Sequence, residues 1–233
     1  MFNKSKKFFL ELFFPQFCLG CQKEGIYLCQ DCRAILEVST LHQVFQTENL
    51  NDLYFACNYQ NALLQKIIQK FKYPPFVREL STSLSSLIID HFQLIDNPPA
   101  FLQEKKEDFI LCPIPLERKK LKWRGFNQAE EIGKEIAQFL KIPLINDALF
   151  KIKETAPQVE LSEKERKENV LGAFVCQNKE KIKEKKILLV DDVYTTGSTM
   201  EEAAKTLRMA GAKEIVGITV ARANPGQDRF QNI

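Results

Sequence analysis

Histidine is almost missing from this chain. His42 and His91 are the only two among 233 residues and neither lies in a motif, so neither is assigned a general-base role. Charge of one sign is also in short supply. The net charge is +3, too small an excess to predict nucleic-acid binding from bulk electrostatics. Long apolar runs are lacking as well. The stretch FFLELFFPQF at 8–17 is interrupted by Glu11 and stopped by Pro15, well short of the roughly 20 residues a spanning helix needs. No small-residue cleavage site follows it before the first cysteines. A short amphipathic turn, no transmembrane segment and a cytoplasmic location are therefore expected. There is no internal repeat and no low-complexity tract. With 45% apolar residues and 18 Phe, the chain is expected to bury a sizeable core in one large domain with a small appendage.

The appendage is announced by cysteine. The segment CLGCQKEGIYLCQDC places Cys18, Cys21, Cys29 and Cys32 in two C-x2-C knuckles separated by seven residues. Gly20 and Gly25 permit the tight backbone, and four thiolates so close suit a tetrahedral site with Zn–S distances of about 2.3 Å. Disulfides and a rubredoxin-type iron centre compete with this reading, because spacing alone does not choose the metal. Nothing marks the chain as secreted, so structural zinc is expected. Four protein ligands leave no position open for catalysis: the site is a staple. Cys57, Cys112 and Cys176 sit in apolar contexts and read as small core residues. This divides the chain into a zinc-binding module over 1–45 and a main domain over 46–233.

The main domain alternates strand and helix patterns. Strands are expected at 53–59, 109–115, 187–190 and 214–222, and helices at 60–73, 77–95, 127–142 and from Ser198 to a glycine cap at Gly211. Such alternation argues for an α/β fold, a parallel sheet flanked by helices. The run ILLVDDVYTTGST (187–199) then raises a question, since Asp191 and Asp192 sit side by side at the end of a buried strand. Like charges repel and resist desolvation, so folding gives no reason for the pair. A ligand does. Ligands of open parallel sheets bind beyond the carboxyl ends of the strands, and the turn that follows feeds a helix N-terminus suited to an anion. Thr195, Thr196, Ser198 and Thr199 add hydroxyl donors, and Gly197 allows close backbone approach. Carboxylates for sugar hydroxyls beside a phosphate cradle match a ribose 5-phosphate. A Walker loop needs a Lys after the glycine, and none is present. A phosphoacceptor receiver domain would need more than the 41 residues that follow Asp192.

That thirteen-residue run resembles the phosphoribosyl-pyrophosphate (PRPP) motif of type I phosphoribosyltransferases. With CPIPLERKKLKWRGFNQAE (112–130), TAPQVELSEKERKENVLGAF (155–174) and the cysteine cluster, nearly the whole chain resembles the ComF family, also called ComFC or GntX-like. The resemblance implies a type I phosphoribosyltransferase-like domain whose Asp191 and Asp192 meet the ribose hydroxyls, directly or through Mg²⁺, while Thr195, Thr196, Gly197, Ser198 and Thr199 hold the 5-phosphate. It implies that 113–128 is a pyrophosphate loop in which Arg118, Lys119, Lys122 and Arg124 neutralise charge, Gly125 turns the chain and Asn127 caps the next helix. It implies a closing loop over 153–169 with Lys153, Thr155, Gln158, Arg166 and Asn169 as its polar members, and places Lys72 and Tyr73 near the site. A basic surface loop, an exposed charged segment and plain packing of Tyr73 are the competing readings.

Two functions follow from the resemblance. One is a competence protein of natural transformation, handling incoming single-stranded DNA with the DNA-uptake machinery at the inner face of the membrane. Trp123 and Phe126, interleaved with the basic run, would then stack on bases. The other is transfer of ribose 5-phosphate from PRPP to an acceptor base, although no base-reading set of side chains is evident after the last strand. Gluconate utilisation, also attached to the GntX-like name, finds no mechanism in these residues.

Overall fold

The computed structural model describes residues 15–154 and 163–223. Most of the 8–17 segment, and Thr155 and Gln158, lie outside the described residues. In chain order the elements are α1 (Gln30–Ala34), β1 (Asp52–Asn58), α2 (Ala62–Lys72), α3 (Leu80–Leu94), α4 (Ala100–Gln103) and β2 (Phe109–Pro113). They continue with α5 (Arg118–Arg124), α6 (Gln128–Leu140), β3 (Leu149–Lys151), α7 (Glu163–Val170) and β4 (Phe174–Cys176). The last are β5 (Lys186–Tyr194), α8 (Ser198–Met209) and β6 (Glu214–Arg222).

Because β5 and β6 are apolar on both faces, they take the middle of a four-stranded parallel sheet ordered β1-β6-β5-β2. Leu188, Val190, Val216 and Ile218 face one core with Leu64, Ile68, Leu84 and Ile132 from α2, α3 and α6. Ile187, Leu189 and Ile215 face the other, with Ala203 and Leu207 of α8. The expected parallel sheet with helices on both faces is therefore the fold. Helix α6 buries Ala129, Ile132, Ile136 and Leu140, three to four residues apart. It sits so close that a Cβ on Gly133 would lie 2.8 Å from Leu111. Asn127 caps it as expected, accepting from the Ala129 N–H at 3.1 Å. At the end of α8, Gly211 takes φ +97° and the Ala212 N–H reaches back to the Leu207 carbonyl, closing a glycine cap.

Three expectations need correction. Strand β5 does not stop before the carboxylates but runs through Asp191 and Asp192 to Tyr194, because pairing with β6 continues to Arg222. The basic run is a helix rather than a loop: Glu117 caps α5 by accepting from Lys119 N and Lys120 N, and Gly125 ends it at φ +79°. Residues 163–170 of the expected closing loop are likewise helical. Its roots are the antiparallel pair β3–β4, which went unread.

The cysteine module is not a loose appendage. Cys18, Leu28, Cys29, Cys32 and Leu36 belong to the same core as Leu64, Ile67, Leu80 and Leu84. Arg33 pairs with Asp90 on α3, and Lys66 Nζ donates to the Leu19 carbonyl at 2.7 Å. The chain then crosses the sheet edge to α8, where the Thr47 hydroxyl and the Asn49 amide donate to Glu201.

Candidate functional site

The four module cysteines bring their sulfurs within 4.8 Å of one another. Cys21 and Cys29 stand 3.6 Å apart, near the ~3.8 Å edge of a tetrahedron built on Zn–S bonds of about 2.3 Å. The Cys29 N–H points at Cys18 Sγ and the Cys32 N–H at Cys29 Sγ. Burial works against ionising Cys18, but backbone N–H groups outweigh it and bring the thiol down to about 6, as a metal ligand requires. A Cβ on Gly20 would lie 2.5 Å from Cys32 Sγ, so the first knuckle needs glycine there. The donor set fits a metal. Cys57 and Cys112 are buried core residues, while Cys176 is half-buried.

The second centre lies at the carboxyl end of β5. Strand alternation sends Asp191 and Asp192 to opposite faces, which weakens the repulsion that their adjacency implied. Asp192 is only 5% exposed, and its Oδ1 lies 2.9 Å from Lys72 Nζ at the end of α2. Burial lowers Lys72, but Asp192 and Asp191 more than compensate and hold it above its ordinary value. Asp191 differs. It accepts from the Asp192 N–H at 2.9 Å, and no cation pairs with it among the described residues. Burial raises its pKa, Asp192 raises it further, and Lys72 and Lys151 offset only part.

The turn after Tyr194 is shaped by Gly197, at φ +78°. A Cβ there would sit 2.1 Å from the Tyr194 hydroxyl, whose ring is buried and edge-on to Phe45. Thr196 Oγ1 and Ser198 Oγ are 2.9 Å apart, and Gly197 leads into the first turn of α8. Thr195, Thr196 and Thr199 are half-buried beside it. Gly197→Ala is expected to cost about 1–3 kcal/mol through its positive φ and the clash. Any phosphate ligand of this turn should weaken with it. Unchanged melting and unchanged affinity would show that the turn relaxes without loss.

The other predicted residues divide. On α5, Arg118, Lys119 and Lys122 face solvent, and Lys119 is spent on Glu154 at 2.7 Å. Arg124 turns inward. It donates to Gln128 Oε1 at 2.9 Å, stands 5.9 Å from the Tyr73 ring and leaves a buried Nε without a partner among the described residues. Trp123 is exposed and edge-on to Phe76, whereas Phe126 is buried against Phe71. Lys153 is exposed, and Arg166 and Asn169 lie on α7. His42 Nε2 lies 2.8 Å from Asp52 Oδ2. His91 is buried with Nδ1 against the Ser39 carbonyl, and among the described residues its Nε2 has no partner; burial lowers its pKa.

A family model described as a phosphoribosyl transferase domain matches residues 127–231. Competence protein F of Haemophilus influenzae is 30% identical over 211 residues, covering 88% of this chain and 90% of that one. The chain belongs to the ComF family. Competence protein ComFC of Streptococcus pneumoniae is also 30% identical, over 88% of this chain and 80% of its own. DNA utilization protein YhgH of Escherichia coli is 32% identical over 45% of each chain. This ComF-family protein thus carries a phosphoribosyltransferase domain behind a four-cysteine cluster. Among its described residues no helix is long and apolar enough to cross a membrane.

One residue of the site was missed by sequence reasoning. Lys151, on β3, is half-buried and within electrostatic reach of Asp191. No local signal could have found it, because β3 is only three residues long and the segment reads as the approach to a loop.

Proposed function

We propose that this ComF-family protein binds Mg²⁺·PRPP at the carboxyl end of β5 and serves natural transformation by handling incoming single-stranded DNA. One observation carries the ligand reading. Asp191 is a half-buried carboxylate without a cationic partner among the described residues, set one residue from the Lys72-paired Asp192 and a few residues before the Gly197 turn. Asp191 is the carboxylate left to take a hydrated Mg²⁺ and the ribose hydroxyls. Thr195 to Thr199 offer hydroxyl and N–H donors to the 5-phosphate. The cysteine cluster would hold zinc as a structural ion.

The DNA part rests on the names of the relatives and on one surface. Trp123 and Tyr73 are exposed, with Lys122, Arg124 and Arg78 around them. Aromatic faces among cations suit sequence-tolerant stacking of single strands. Transfer of ribose 5-phosphate to an acceptor base is the second reading, favoured by the carboxylates and phosphate turn lying together as that chemistry requires.

Calorimetric titration of PRPP with Mg²⁺ tests the ligand. Asp191→Asn should weaken binding by about 10- to 100-fold, the loss of one charged hydrogen bond. Its melting temperature should not fall, since a buried, unpaired charge is removed. Equal heats from wild type and variant would sink the reading.

A further inference from the structure

Thr219 is fully buried on β6, yet among the described residues its hydroxyl has no hydrogen-bond partner. A buried polar group left unpaired is destabilising, so its presence asks for a reason. Packing supplies none. Valine has the same branched shape without the hydroxyl, and the strand already carries Val216 and Val220. Arg222 Nε, likewise without a hydrogen-bond partner among the described residues, is a weaker case. Its guanidinium stands over Phe45 and Phe55, at 4.1 and 5.5 Å from the ring centres.

The register gives the hydroxyl its neighbour. Thr219 pairs with Asp191 across β5 and β6. Paired residues share a face of the sheet, and adjacent strands run about 4.8 Å apart. That face is the one under α8: two residues earlier, a Cβ on Gly217 would lie 2.6 Å from Met200 Sδ, and Leu189 belongs to the α8-side core. On its other side Thr219 is in register with Phe55 of β1, whose side chain offers no acceptor. Asp191 accepts from the Asp192 N–H, and its second oxygen leaves room for another donor. Burial and Asp192 both work against its ionised form, which a hydroxyl donor would favour.

We propose that Thr219 is a positioning residue, whose hydroxyl donates to Asp191 and fixes its direction when that carboxylate takes up Mg²⁺ and the ribose hydroxyls. The proposal rests on the PRPP reading above. Thr219 is too deeply buried to touch the ligand, so it acts through Asp191. The bond is not made in this structure; rotation of either side chain about its Cα–Cβ bond would close it across the strand spacing.

The test sets affinity against stability. Calorimetry with PRPP and Mg²⁺, and thermal melting, are run on wild type, Thr219→Val, Thr219→Ser, Asp191→Ala and the double variant Thr219→Val, Asp191→Ala. Thr219→Val removes the orphan hydroxyl and keeps the shape, so melting should hold or rise while affinity falls about 10-fold. Thr219→Ser loses a buried methyl group, so melting should fall while affinity stays close to wild type. The double variant should bind no more weakly than Asp191→Ala alone, because the hydroxyl acts through that carboxylate. Affinity that follows melting in both single variants of Thr219 would overturn the assignment, as would additive losses in the double variant. A wild type that does not bind PRPP would remove the PRPP reading and this proposal together. A wild type that binds PRPP beside an unimpaired Thr219→Val would remove Thr219 alone.

Discussion

Stripping the metal from Cys18, Cys21, Cys29 and Cys32 with a chelator is expected to lower the melting temperature by about 10–20 °C. Structural zinc contributes about 10–16 kcal/mol of apparent binding free energy in small zinc domains. If about 5 kcal/mol of that reaches the fold, a chain of this size shifts by about 2–4 °C for each. The coupling is strong because the cluster is not peripheral. Cys18, Cys29 and Cys32 are at most 4% exposed and share one core with Leu36, Leu84 and Ile88. Without the ion, four sulfurs within 4.8 Å of one another have no common partner, and the wall they form against α2 and α3 loosens. Cys29→Ser and Gly20→Ala should move in the same direction, the latter because its Cβ would displace Cys32 Sγ. Metal analysis of the untreated protein should return one zinc per chain. Visible absorption from iron would keep the staple and change the ion; no metal, or a chelator without effect, would remove the staple.

How much of this was legible in the sequence depended on whether the signal was local. Strand β6 has the predicted bounds, 214–222, since a run rich in β-branched residues, interrupted only by Gly217, follows closely on the glycine that ends α8. The four-cysteine cluster, Gly197 and the Asn127 cap were legible for the same reason: each is a short-range constraint on a few residues. Helix α5 was misread although its signals were present. Glu117 at the cap and Gly125 at the stop bracket the run, but the resemblance to a pyrophosphate loop cast the segment as a loop. Strand β5 was cut short by the opposite error, treating two carboxylates as the end of a strand. Backbone pairing with β6 does not depend on what the side chains carry, and at Asp191 and Asp192 they point to opposite faces. Strands β3 and β4 are three residues each, too short to show a period. What could not be read at all was long-range. No local pattern says that Lys72 meets Asp192, or that Lys151 comes to lie near Asp191.

Lys72→Met is expected to destabilise the protein by about 3 kcal/mol at neutral pH, the low end for removing one partner of a buried ion pair. The low end applies because the Lys72 side chain is 27% exposed, so water reaches part of the pair, while Asp192 is 6% exposed and keeps the uncompensated charge. Melting should fall by about 6–12 °C. The sign of the pH dependence separates charge from packing. Lys72 offsets part of the burial and of the Asp192 charge that raise Asp191 to about 7, so its removal should carry Asp191 higher in the folded variant. The folded variant then keeps a proton that the folded wild type releases, so the deficit deepens as pH rises through 7 and shrinks below it. Urea unfolding at pH 5 and pH 7.5 measures this directly. The double variant Lys72→Met, Asp192→Asn should recover most of the loss, because no charge is left behind. A deficit equal at both pH values and unrelieved in the double variant would assign Lys72 to packing. With the ion pair upheld, the division of labour between the adjacent carboxylates follows: Lys72 fixes Asp192 to the end of α2, and Asp191, held beside it by backbone geometry alone, remains open to the ligand.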